Sequence, residues 1–345
     1  MSMSMTRRQF NLMAGAALLA GPRGGLSRAG TKAEARDISL ILAPSNLGLS
    51  PNEGGAQPGT WRAPQVLIDA GLARAIGAAE VVRLERPVYE PGAQSGTRIR
   101  NGPAIRAFSL QLAERVRDSA RQHRFPVVIG GDCSVLLGSL YGLRLAGGRG
   151  LVHIDAHSDF SHPGNYDSMK VLGAAAGMDL ALASGRGEPL LTTWPVTGVP
   201  LAGDGDIIQV GERAAGTVAF MGYHGDLPRT DITQFSTQSV LAEGIEVAAR
   251  RIIAKLEGRG LDRAWLHVDL DVLDQAVMPA VDAPGSPGFN FAQLSGLIAA
   301  LCASGRIAGA DFTIYDPERD PEGRYARPLV QCIAEGLRPP APDKT

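Results

Sequence analysis

The chain has 345 residues, 44% of them hydrophobic and 20% charged, enough to bury a sizeable core and to exclude disorder, collagen and coiled coil. Thirty-four basic against 35 acidic residues give a net charge of −1, with no basic excess to neutralise phosphates, which argues against a nucleic-acid partner. The three cysteines, Cys133, Cys302 and Cys332, are too few and too odd for a disulfide framework, so buried thiols are expected.

Taken in chain order, Thr6-Arg7-Arg8-Gln9-Phe10-Asn11-Leu12-Met13, an apolar run to Ala20 and small residues ending at Ala29, Ala33 or Ala35 read as a twin-arginine signal over residues 1–35. The apolar run is about half of the ~20 residues that span a bilayer, so no stable membrane anchor is expected. A periplasmic or exported location follows, or a cytoplasmic one if the leader is not a signal. Without residues 1–35 the chain keeps 29 basic and 34 acidic residues, a net −5.

From Asp37 onward, short β-branched runs alternate with longer amphipathic stretches. Strands are expected at 38–42, 80–84, 126–129, 151–154, 207–210, 265–270 and 307–312, and helices at 105–123, 134–146, 239–257 and 291–303. This alternation predicts an α/β fold, three-layer αβα with a mostly parallel sheet, in a single domain over 36–337 followed by a Pro-rich tail at 338–345. The Pro/Gly-rich loops at 44–63 and 185–206 are candidate rims of a site.

In open α/β sheets, ligands lie beyond the carboxyl ends of the strands. Three such ends carry polar clusters: Gly130-Gly131-Asp132-Cys133-Ser134, Asp155-Ala156-His157-Ser158-Asp159 and Asp269-Leu270-Asp271-Val272-Leu273-Asp274. Side chains two apart on a strand share a face, ~6.5 to 7 Å apart, so Asp155, His157 and Asp159 converge if strand geometry persists, as do Asp269 and Asp271. Four buried carboxylates without a cation would repel and lose solvation at several kcal/mol each. Two divalent ions balance four carboxylates and a neutral imidazole, and oxygen-rich ligation favours manganese-like ions over a thiolate-type zinc site. A solvated acidic loop, or carboxylates capping helices, is the plainer reading.

These elements resemble the arginase/agmatinase (ureohydrolase) family, with its Gly-Gly-Asp-His-Ser, Asp-Ala-His-x-Asp and Asp-x-Asp-x-x-Asp-Pro elements in this order. Ala43 to Gly48 and Asp311 to Pro317 also look like family segments, so the resemblance covers roughly residues 37–335. It implies two Mn2+ per chain, or another divalent ion, held by Asp155, His157, Asp159, Asp269 and Asp271, with Asp155 and Asp269 as bridges. It further implies attack of a metal-bridging hydroxide, oriented by Asp159, on a guanidinium or amidine carbon. A small-molecule substrate and a homo-oligomer follow from the same resemblance.

The pattern breaks at several positions. The family's first metal-binding His falls on Cys133, either a thiolate ligand with a pKa lowered by the helix start or simply a small packed residue. The proton-relay His falls on Asp167, with His162 and His224 as nearby substitutes or ordinary surface histidines. The carboxylate that holds the substrate's cation falls on Ile314, and Gln275 replaces the usual Pro. His153 and His267 share the ligand side by parity, as spare ligands, proton carriers, hydrogen-bond partners or core histidines. The leading expectation is a metal-dependent hydrolase acting on the non-peptide C-N bond of a linear amidine or guanidino compound. The alternatives are an exported binding protein or catalytically dead relative, and a zinc deacylase, whose usual His-His pair does not occur here.

Overall fold

The computed structural model describes residues 36–197, 200–213 and 226–338. Residues 1–35, expected to be a signal segment, His224 and the tail beyond residue 338 lie outside the described residues. Eight strands form one sheet: β1 (Ile38–Ala43), β2 (Ala78–Arg83), β3 (Phe125–Gly130), β4 (Leu151–Ile154), β5 (Ile207–Val210), β6 (Thr233–Phe235), β7 (Ala264–Asp269) and β8 (Ile307–Thr313). Their order is β2-β1-β3-β8-β7-β4-β5-β6 and every pairing is parallel.

Parallel strands must be covered on both faces, which is why the central strands are buried at every residue. Edge strand β2, by contrast, alternates half-buried and exposed residues. Helices Ala63–Asp69, Ile245–Gly258, Phe291–Ala303 and Ala326–Leu337 pack one face, against Val152, Ile154, Leu266 and Val268. Helices Gly102–Arg121, Val135–Leu145 and Asp179–Ala183 pack the other, against Leu151 and Trp265. The three-layer expectation therefore holds. Among the described residues no helix is long and apolar enough to cross a membrane.

Several elements differ from the periodicity reading. The helix expected at 239–257 is two helices, Thr237–Glu243 and Ile245–Gly258, because Gly244 at φ 87° breaks the run. The short strand β6 and the helix at 63–69 carry too few periodic residues to stand out alone, whereas helix Ala326–Leu337, with Ala326, Leu329, Val330, Ile333 and Leu337 buried at helical spacing, was legible and missed.

Parity puts His153 and His267 on the same face as Leu151 and Trp265. The register then aligns Gln209, His153, His267 and Asp311 in one row across β5, β4, β7 and β8. The rim above this row is held by the Gly-Gly-Asp element. A Cβ at Gly131 would lie 1.6 Å from the Ser45 carbonyl oxygen, so only glycine allows the two loops to touch. Asp132 then accepts the Ser45 hydroxyl at 2.6 Å and the Gly48 and Ser134 amides at 3.1 and 2.9 Å.

Candidate metal centre

β4 stops at Ile154, so strand parity does not carry through to Asp159. Convergence comes from turns instead. Asp155 Oδ1 accepts the His157 amide at 2.6 Å and Asp269 Oδ1 accepts the Asp271 amide at 2.6 Å, each a carboxylate folded back onto its own chain. These turns aim His157 Nδ1 at Asp271 Oδ2, 2.9 Å away, and at Asp155 Oδ1, 3.7 Å away. The donor atoms of Asp155, His157 and Asp271 lie within 4.8 Å of one another, as do those of Cys133, Asp155 and Asp269. Four of the expected ligands from β4 and β7 thus meet Cys133 at one rim.

Asp159 takes a left-handed turn at φ 44° and is 9% exposed. It feels the charges of Asp155, Asp179, His157 and Asp269, although among the described residues its carboxylate joins none of the close donor groups. Burial, then neighbouring carboxylates, pushes Asp159 and Asp269 well above the usual carboxylate range. For Asp155, burial works upward too, but His157 and His153 together hold it below that range. His157 loses solvation as well, yet the Asp271 and Asp155 carboxylates raise it to about 12.

The charge pattern fits divalent cations. Asp155 Oδ2, Asp179 Oδ2 and His267 Nε2 are buried and make no hydrogen bond, and a polar atom in that state costs about 1–3 kcal/mol unless something replaces water. The residues able to hold metal at the rim are Asp155, His157, Asp271, Asp269 and Cys133, with Asp159 close by.

Cys133 departs from the expectation of a lowered pKa. Its thiol is fully buried, and burial together with Asp269, Asp179, Asp155 and Asp159 raises it well above the ordinary thiol value. The helix start cannot offset so many carboxylates. In the ion-free chain the thiol donates to Asp269 Oδ2 at 2.8 Å and meets Thr313 Oγ1 at 3.1 Å. Cys302 and Cys332 are free and buried, as expected.

Of the relay candidates, Asp167 and His162 are not brought to the rim, and His224 lies outside the described residues. Asp167 sits in a surface turn, accepting the Met169 amide at 3.1 Å and pairing with Lys170 at 3.2 Å. His162 faces Asp226 at 3.4 Å and packs edge-on against Phe160. Ile314 is 3% exposed with φ 73°, a strained backbone for a β-branched residue, and its amide donates to the Gly131 carbonyl at 2.7 Å. Asp274 closes a turn by accepting Ala276, Ser286 and Gly288 rather than reaching the ligands.

Three further residues escaped sequence reasoning. Asp179, at the start of helix Asp179–Ala183, meets His153 Nε2 at 3.2 Å, and no motif spacing leads to it. Asp311 accepts Trp265 Nε1 at 2.7 Å and a short bond from His267 Nδ1; a lone carboxylate inside the apolar run 307–312 was the available signal. Arg213 donates to the Asp271 carbonyl at 2.7 Å and the Ala283 carbonyl at 3.1 Å, holding the second ligand loop by its backbone.

Comparison with known proteins agrees with this arrangement. The sequence pattern described as Arginase family matches residues 36–337. A formimidoylglutamase from Aeromonas hydrophila is 30% identical over 309 residues, covering 87% of this chain and 86% of the relative. An arginase from Bacillus caldovelox is 29% identical over 312 residues, covering 86% and 97%. The solved structure of arginase from Bacillus caldovelox superposes with a TM-score of 0.76 at 24% identity, over 88% of this chain and 98% of that one. The formimidoylglutamase structure from Bacillus subtilis gives a TM-score of 0.65 at 17% identity over 88% and 86%. Both likenesses carry the fold.

Proposed function

The chain belongs to the arginase family, and from that premise we propose that it is a metal-dependent hydrolase of the C-N bond in a small linear amidine. The observation that carries this reading is the meeting of Asp155, His157 and Asp271 at the ends of β4 and β7, with both carboxylates buried. Ions held there would supply a nucleophilic water at neutral pH and polarise the substrate. The chain's own part is to fix those donors by the two backbone turns, to exclude bulk water, and to keep Asp159 beside them as a proton acceptor.

Ile314 favours a formimidoyl-type amidine over a guanidine. It follows Thr313, whose hydroxyl touches Cys133, so it lies on the rim adjoining the ligands. A guanidinium presents a third nitrogen that wants an acceptor, whereas a formimidoyl carbon carries hydrogen, which an apolar neighbour suits. The relatives named formimidoylglutamase make this the natural first substrate class. Cleavage by water would release formamide and the free amine.

The test is a paired assay on metal-loaded protein: formamide release from formimidoyl amino acids and urea release from guanidino compounds. The expected result is turnover with the formimidoyl series at least ~10-fold ahead, about 1.4 kcal/mol of discrimination. Ligand binding without turnover in either series would instead support an exported binding protein or a catalytically dead relative. Export by the twin-arginine route and homo-oligomer formation belong to the same proposal, to be checked by cell fractionation and by sedimentation.

A further inference from the structure

The row of Gln209, His153, His267 and Asp311 lies one layer below the rim and has no role in the reading above. We propose that a divalent first-row ion binds in this layer, in a pocket made by the Nε2 atoms of His153 and His267 and the carboxylates of Asp179 and Asp155. The site goes beyond the hydrolase reading and shares Asp155 with it.

All four side chains are completely buried. His267 is oriented as a ligand would be: Nδ1 is engaged by Asp311, which Trp265 also fixes, and Nε2 is left facing the pocket with no hydrogen bond. A carboxylate on the far nitrogen is the usual support of a metal-binding imidazole. Asp155 Oδ2 and Asp179 Oδ2 are likewise unpartnered and face the same space. The separations are informative. His153 Nε2 stands 3.2 Å from Asp179 Oδ1 and 3.7 Å from Asp155 Oδ2, and His267 Nε2 stands 3.6 Å from Asp179 Oδ2. The two longer ones exceed hydrogen-bond length. Donors ~2.1 Å from a tetrahedral ion are ~3.4 Å from each other, close to the His153–Asp179 and His153–Asp155 separations, while His267 Nε2 approaches the second Asp179 oxygen; the donor atoms of His153, Asp155 and His267 lie within 4.8 Å of one another.

Protonated imidazoles are the competing explanation for balanced charge. The two rings stack at 4.8 Å between centroids with 23° between planes, so charging both would set like charges face to face. One imidazolium leaves Asp155, Asp179 and Asp311 incompletely neutralised, whereas a divalent ion reaches the first two directly. His153 Nδ1 lacks a partner in either case and does not separate the readings.

The position also accounts for Cys133. Its sulfur lies within 4.8 Å of donor atoms of Asp179 and His267 on one side and of Asp155 and Asp269 on the other. Where the resemblance implies an imidazole at 133, this chain offers imidazoles from the strands beneath, so the ion shifts inward by about one side-chain layer. Two imidazoles and two carboxylates suit zinc, cobalt or iron(II) as well as manganese.

Crystals of the full chain loaded with Co2+ and measured at the cobalt absorption edge test the site directly. The expected result is an anomalous peak ~2.0 to 2.2 Å from both His153 Nε2 and His267 Nε2. Cobalt content should also fall from about two ions per chain to about one in Asp179→Asn and His267→Gln. Peaks confined to the Asp155, His157 and Asp271 group, with unchanged content in both variants, would overturn the inner site and leave the hydrolase reading standing. Absence of ions from both layers, together with binding but no turnover, would overturn both. If a variant fails to fold, the map of the unaltered chain still decides.

Discussion

Two pairs of neighbouring strands end on the same rim and have opposite character. β4 and β7 end in Asp155, His157, Asp269 and Asp271, three buried carboxylates and a half-buried imidazole that face one another. β3 and β8 end in Cys133 and Ile314, neutral side chains packed into the apolar core. Burying Ile314 contributes about 1.5–3 kcal/mol, partly offset by a positive φ that costs about 1–3 kcal/mol. Burying the carboxylates costs several kcal/mol each unless their charge is compensated, by His157 in part and by the ions proposed above. The first pair of ends therefore carries the charge at the rim, while the second is neutral and touches it through the Cys133 thiol on Asp269.

Removing a donor should give the largest effect. Asp155→Ala or Asp271→Ala is expected to abolish ion retention at the rim and lower turnover by ~10³-fold or more, read by elemental analysis and formamide release. An active, metal-free variant would break the contrast between the two pairs of ends. Ile314→Glu should come next. The new carboxylate should move the guanidino-to-formimidoyl ratio of kcat/KM by ~10-fold toward guanidines, while its burial costs ~2 kcal/mol or more of stability in thermal unfolding. An unchanged ratio would remove Ile314 from the specificity argument.

The third test concerns protons. In the ion-free chain His157 is held protonated up to about 12, and Asp159 and Asp269 keep their protons well above the usual carboxylate range. A cation must displace those protons, so ion affinity should rise with pH across the neutral range and uptake at pH 7 should release protons. Calorimetry in buffers of different ionisation enthalpy measures that release, and pH-independent uptake would contradict it. The smallest effect is expected at Asp167→Asn, less than ~2-fold in turnover, because Asp167 pairs with exposed Lys170 in a surface turn. A loss of ~10²-fold would restore Asp167 as a proton relay.

Much of the frame was legible in the chain itself. Central strands such as β4 and β5 coincide with the expected runs at 151–154 and 207–210, because strands buried on both faces must be apolar at every position. Helix Phe291–Ala303 likewise coincides with its expected bounds, its start marked by an Asn290 cap and Gln293. Periodicity failed where local backbone chemistry intervened, at Gly244, and where an element was short, as in β6.

At the centre, the sequence by itself determined which donor types were present and grouped them at strand ends, since local spacing at two strand ends is a property of consecutive residues. It also showed that Cys133 and Ile314 depart from the family pattern. Only the tertiary structure decided which donors face one another. Turns, not strand parity, aim His157 at Asp271, and four strands distant in sequence align Gln209, His153, His267 and Asp311. Asp179 arrives from a helix with no motif to announce it, and burial together with the surrounding carboxylates raises the Cys133 thiol where a helix start alone would lower it. Electrostatic energy in a buried site depends on distances through space, and these are set by register and packing between residues far apart in the chain.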